Sequence, residues 1–89
     1  MTFQKLIDEK ENWVGGKFQT SELGDNSYRN MVITGMEIKN DIFYVYSGNC
    51  SVSATTINNQ PFSNEREDIV SFNIPYIGCC VLIRNKNGV

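Results

Sequence analysis

The run Ile42-Phe43-Tyr44-Val45-Tyr46-Ser47 constrains the fold more than any other stretch of the chain. β-Branched and aromatic side chains crowd together there, a composition that fits a pleated, half-buried surface. Asn40-Asp41 stands immediately before the run and Gly48-Asn49 immediately after it. Asn, Asp and Gly accept the positive φ angles of a tight hairpin turn. The segment therefore reads as a strand with a chain reversal at each end.

The remaining pattern is extended almost throughout. Tyr28 to Lys39 reads as one long strand whose phase slips: Met31 and Ile33 are apolar on odd positions, Met36 and Ile38 on even ones. A one-residue bulge at Gly35 would return all four side chains to the buried face. Trp13 to Gln19 reads as a first strand, bent at Gly15-Gly16. Thr20 to Ser27 is a polar loop around Gly24-Asp25-Asn26. Cys50 to Ile57 follows the second reversal, and Asn58 to Asp68 is the longest loop. Ile69 to Ile74 alternates so that Val70, Phe72 and Ile74 point inward, and Pro75 stops it. Gly78 to Arg84 is apolar on both faces and is expected to be covered on both sides.

Ahead of the strands, Thr2 can cap a short helix. Phe3, Leu6, Ile7 and Lys10 fall at helical spacing, with Asp8, Glu9 and Glu11 opposite. A helix this short is marginal alone and must dock its apolar stripe. The expectation is a mainly β chain, α+β at the margin. It is a small antiparallel barrel of five to six strands, SH3-like or related, with one N-terminal helix. A single domain spans residues 1–89, with the helix over 1–12, the barrel over 13–84 and a polar tail over 85–89. Closure into a barrel is the economical way for so small an all-β chain to hide its strand edges. None of the signatures of peptide-binding SH3 domains, cold-shock domains or RNA-binding sheets is present.

Charge narrows the function. Eight Lys plus Arg face ten Asp plus Glu, a formal net charge of −2. The cations are scattered, whereas a phosphate backbone calls for a concentrated positive footprint, so nucleic acid is not the expected partner. No stretch approaches the roughly 18 apolar residues of a membrane span. Three cysteines and no apolar stretch after Met1-Thr2-Phe3-Gln4-Lys5 point to a reducing, cytoplasmic setting. Eleven asparagines beside a single alanine, Ala54, hint at an AT-rich coding genome such as that of a phage or mobile element.

The chain has no histidine, which removes the commonest general base and zinc ligand and excludes Ser-His-Asp and Cys-His nucleophile systems. Cys79 and Cys80 are adjacent, so in a strand their thiols face opposite ways and cannot converge on one metal with Cys50. Gly15-Gly16-Lys17 lacks the spacing and the Ser or Thr of a phosphate-binding loop. Glu65, Glu67 and Asp68 have no calcium-loop spacing. No cofactor and no metal is expected, and the chain is not expected to be an enzyme.

What remains is aromatic. If Phe43 and Val45 fill the core, Tyr44 and Tyr46 project from the other face of the same strand and form a rigid, amphipathic contact surface. The first expectation is a non-enzymatic interaction protein that binds, and can inhibit or modulate, a protein partner, in the manner of a phage accessory or counter-defence protein. The alternative is a protein that sequesters a nucleotide-like small molecule at the interface of a homodimer or higher homo-oligomer. The candidate contact residues are Trp13, Tyr28, Arg29, Tyr44, Tyr46 and Arg66. A thiol bridge from Cys50 to Cys79 or Cys80 would require neighbouring strands.

Overall fold

The fold was analysed in a computed structural model that describes residues 1–22, 30–74 and 78–85. A short helix, α1 (Phe3–Asp8), is followed by a single 3₁₀ turn at Lys10–Asn12 and then by strands. These are β1 (Lys17–Glu22), β2 (Met31–Val32), β3 (Gly35–Lys39), β4 (Ile42–Ser47), β5 (Cys50–Thr55), β6 (Phe62–Ser63), β7 (Ile69–Ile74) and β8 (Gly78–Ile83). They form two antiparallel sheets, one ordered β2-β1-β8-β7-β6 and the other β3-β4-β5. No closed barrel is found among the described residues: β2 and β6 are the edges of the larger sheet, β3 and β5 those of the smaller. Among the described residues eight strands stand where five or six were expected, because the long strand divides and the long loop contributes the two-residue β6.

The hairpin around β4 follows the turn chemistry. Asn40 and Asp41 adopt φ of 54° and 62°, both left-handed as a type I′ turn needs, and Lys39 pairs with Ile42. Gly48 takes φ 60° at the first central position of the second turn, where Ser47 pairs with Cys50. Strand alternation then does the sorting. Phe43 and Val45 are buried and pair with Ile38 and Met36 on one side, Ala54 and Val52 on the other. In the larger sheet Phe18, Leu82 and Val70 form one inward row, and Thr20, Cys80 and Phe72 the next.

The helix is shorter than expected. Thr2 Oγ1 accepts the Lys5 amide at 3.0 Å as the N-cap, but Glu9 already leaves the helical region and the chain tightens into the 3₁₀ turn. That change brings Trp13 inward, where it is 1 % exposed, while Lys10 stays at the surface. Phe3 docks between the sheets, its ring 4.9 Å from Phe43 and 5.4 Å from Phe72, with Phe43 and Phe72 edge-on at 5.5 Å. Three aromatic rings thus tie the helix, the small sheet and the large sheet into one core, an arrangement that favours tilted and T-shaped contacts. Lys5 Nζ adds a surface ion pair to Glu67 Oε1 at 3.2 Å.

The phase slip has a different cause from the expected bulge. The chain does not kink within one strand; it leaves one sheet for the other between Val32 and Gly35. Ile33 exchanges backbone hydrogen bonds with the Gly15-Gly16 turn at 2.8 and 2.9 Å, and the Thr34 amide donates to the Tyr46 carbonyl at 2.8 Å. Thr34 Oγ1 accepts the Gly48 amide at 3.0 Å. The change of sheet achieves what the bulge would have: Ile33 and Met36 are buried, and Met31 and Ile38 pack against the core. The Gly15-Gly16 bend precedes β1 instead of interrupting it, and β1 begins at Lys17.

On the other side of the molecule the sheets are joined by a side chain. Asn59 Nδ2 donates to the Thr55 carbonyl at the end of β5 and to the Asn73 carbonyl in β7, both at 3.0 Å.

Candidate functional site

Because Phe43 and Val45 are committed to the core, the alternation of β4 sends Tyr44 and Tyr46 to the outer face of the small sheet. Both are half-buried there. Their rings stack with centroids 6.1 Å apart and planes inclined by 12°. Tyr46 pairs across the sheet with Gly35 and Ser51, Tyr44 with Glu37 and Ser53. Gly35, Ser51 and Ser53 are small, and Tyr46 lies over Gly35, where an added Cβ would meet its ring at 3.8 Å. An aromatic ring beside a strand glycine supplies the cross-strand contact that the glycine lacks.

One polar contact fixes the pair. Tyr46 Oη donates to Glu37 Oε1 at 2.7 Å. That hydrogen bond to a carboxylate holds the Tyr46 phenol above its usual range, with desolvation and the charge of Glu37 acting in the same direction. The phenol is therefore a proton donor over a wide pH range. Two parallel rings, one anchored carboxylate and flanking serines make a surface suited to a flat or extended partner. They supply no nucleophile activated by a base.

The other sequence candidates lie elsewhere. Trp13 is a core residue whose Nε1 is buried without a hydrogen-bond partner among the described residues, so it offers no surface contact. Tyr28 and Arg29 lie outside the described residues. Arg66 is exposed in the loop between β6 and β7, on the large sheet, and is not brought to the tyrosines. That loop is organised by Asn64, whose Oδ1 accepts the amides of Asp68 and Ile69 at 3.0 and 3.3 Å and whose Nδ2 donates to Asp68 Oδ1.

Two surface features escaped the sequence reading. The first is a groove of about 800 Å³ beside the 56–63 segment, lined among others by Asn58, Asn59, Gln60, Phe62 and Asn73. Among the described residues no Asp, Glu, Lys or Arg side chain lines it, and Met1, the first residue of the chain, does. Phe62 stands at its wall 70 % exposed. The second is the outer face of the large sheet. Cys79, Val81 and Ile83 of β8 are only half-buried there, where coverage on both sides was expected. The signal was present in the apolar run of β8; what it marked was a face that is only partly buried.

The cysteines behave as the alternation requires. Cys80 faces the core and Cys79 the outer side, all three thiols are free, and Cys50 belongs to the other sheet. No group of three or more Cys, Asp or Glu that could hold a metal is found among the described residues. No described helix is long and apolar enough to cross a membrane. Compared with known protein families, curated proteins and solved structures, the chain matches none.

Proposed function

We propose that this protein is a non-enzymatic interaction domain that binds a protein partner through the Tyr44–Tyr46 face of its small sheet. The observation that supports this reading is the stacked tyrosine pair itself, held parallel at 6.1 Å and tethered to Glu37, with Gly35, Ser51 and Ser53 beside it across the strands. Tyrosine supplies large contact area for little conformational entropy, and a pair already held in place loses less on binding. Hot spots of interfaces are enriched in such residues. Inhibition or modulation of a larger protein, as a phage or mobile-element accessory factor would exert it, is the form of activity that a small module of this kind suits.

The test is capture of partners from a lysate of cells that produce the protein, with the wild type and with a Tyr44→Ser/Tyr46→Ser double variant whose circular dichroism matches it. The reading expects at least one partner retained by the wild type and lost with the variant. Identical captured sets would overturn it.

A second reading, binding of a small polar molecule, draws support from the groove beside Phe62. Its described lining sets the amide side chains of Asn58, Asn59, Gln60 and Asn73 beside the exposed Phe62 ring, which suits a flat ligand with hydrogen-bonding edges such as a nucleoside. Thermal-shift comparison of nucleosides with their monophosphates tests it: stabilisation by the nucleoside is expected, and stabilisation by the phosphate form alone would overturn it.

A further inference from the structure

β5 is paired on one side only, and the parity of its hydrogen bonds fixes which backbone groups are left over. The Thr56 amide donates to the Asp41 carbonyl at 2.9 Å. With Ile42 opposite Thr55 and Ser47 opposite Cys50, that bond makes Cys50, Val52 and Ala54 the residues whose backbone groups face β4. Ser51, Ser53 and Thr55 turn theirs the other way. The Thr55 carbonyl is met by Asn59 Nδ2 at 3.0 Å. The outward N–H and C=O groups of Ser51 and Ser53 have no partner among the described residues, and both residues are exposed.

The other described edges are shorter or guarded. β2 and β6 have two residues each. β3 has α1 packed against it and carries Glu37 and Lys39. Edge strands ordinarily carry a charge, a proline or a bulge that discourages further pairing. The run Cys50-Ser51-Val52-Ser53-Ala54-Thr55 has neither charge nor proline and keeps unbroken register with β4.

We propose that the partner of the tyrosine face presents an extended segment of its own chain, which adds to β5 as a fourth strand of the small sheet. Backbone donors and acceptors are what this edge lacks, and an extended chain supplies both at matching spacing. The side chains select the same occupant. Tyr44 stands opposite Ser53 and Tyr46 opposite Ser51. Both serines are short, and Tyr46 leans away from them, over Gly35 towards Glu37. A residue added opposite Ser51 or Ser53 projects on the same face, about 4.8 Å beyond the serine, so a long apolar or aromatic side chain there reaches across it to the rings. The segment therefore carries large side chains at alternate positions. β5 of a second copy would lay serine beside serine and reach neither ring, so the geometry favours a foreign segment over self-pairing. The placement of those side chains rests on the tyrosine face being the contact surface; the open edge does not.

Two measurements test the proposal. In the free protein, amide exchange followed by NMR is expected to be fast at Ser51 and Ser53 and slow at Val52. Protection of Ser51 and Ser53 equal to that of Val52 would overturn it, because the edge would already be covered, by a second copy if the protection falls on dilution. The second measurement uses short peptides selected on the wild-type protein from a displayed random library. Their affinity is expected to fall at least tenfold in Ser53→Pro, which removes an outward N–H and no bond to β4. A fall of the same order is expected in Tyr44→Ser/Tyr46→Ser. N-methylation of a selected peptide, one residue at a time, is expected to weaken binding at every second position, a readout that stands even if Ser53→Pro does not fold. Binding lost with the tyrosine variant but indifferent to Ser53→Pro and to N-methylation would overturn strand addition and keep the tyrosine reading. Binding lost with Ser53→Pro and on alternate N-methylation, but intact in the tyrosine variant, would overturn the tyrosine reading and keep strand addition. A library that yields no binder, or only binders indifferent to both variants, would overturn the proposal.

Discussion

The carbonyl of Ile83 passes so close to Gly16 that a Cβ on that glycine would stand 2.1 Å from its oxygen. The same Cβ would lie 2.9 Å from the Asn85 nitrogen and from the Trp13 carbonyl oxygen, and all three atoms are backbone. This is the point where the turn after the helix, the end of β8 and the crossing at Ile33 converge. None of these neighbours can move without dragging an element with it. Gly16→Ala should therefore cost at least the ~1–3 kcal/mol typical of overpacking, measured by urea denaturation. Wild-type stability in that variant would show that the approach is looser than the structure has it.

Asn59 should matter out of proportion to its position in a loop. Its Nδ2 bridges Thr55 in one sheet to Asn73 in the other. Removing both bonds in Asn59→Ala should cost about 1–3 kcal/mol. Asn59→Asp should be worse near neutral pH, because it sets a carboxylate against two carbonyl oxygens, and it should recover towards the alanine variant as the pH falls below the carboxylate range. Thermal melts of the three proteins at pH 4 and pH 7 would check the order.

Burial pushes the Cys80 thiol up to about 12, with the neighbouring Cys79 contributing in the same direction. The folded protein thus keeps a proton that the unfolded chain surrenders near the ordinary thiol value. The associated stability is complete below about pH 8.5 and is lost as pH rises towards 12. The stability difference between wild type and Cys80→Ala should accordingly shrink between pH 8 and pH 11. In the folded state at pH 8, a thiol reagent should modify Cys50 and Cys79 and spare Cys80, with the third equivalent appearing only in urea.

The Tyr46 phenol should ionise later than an ordinary tyrosine, because its hydrogen bond to Glu37 favours the protonated form. Tyrosinate absorbance followed from pH 8 to pH 12 should show a late-titrating fraction that moves to lower pH in Glu37→Ala. No change in that variant would mean that the Glu37 contact is not maintained in solution.

Much of this architecture is written locally. The β4 hairpin follows from Asn40-Asp41, Gly48-Asn49 and the aromatic run between them, and the inward set Val70, Phe72 and Ile74 follows from period-two alternation. The helix cap at Thr2 is legible for the same reason: its hydrogen bond closes within three residues. The outward placement of Tyr44 and Tyr46 also needed only the burial of Phe43 and Val45. Trp13 was misjudged because exposure is not a property of residue type. A 3₁₀ turn that no residue in the sequence announces rotates it into the core.

The sequence alone determined the reversals on either side of β4 and the extended, alternating segments at β4, β5, β7 and β8, because those choices depend on neighbours a few positions away; it ended the first strand at Gln19, where the structure carries β1 on to Glu22 with Thr20 buried. Tertiary structure decided that the Met31–Ile38 phase slip is a change of sheet, that Asn59 ties the two sheets together and that the outer side of β8 is only partly buried. Each of those depends on pairing between segments tens of residues apart. Alternating hydrophobicity says only that a face seeks cover, and packing decides what provides it.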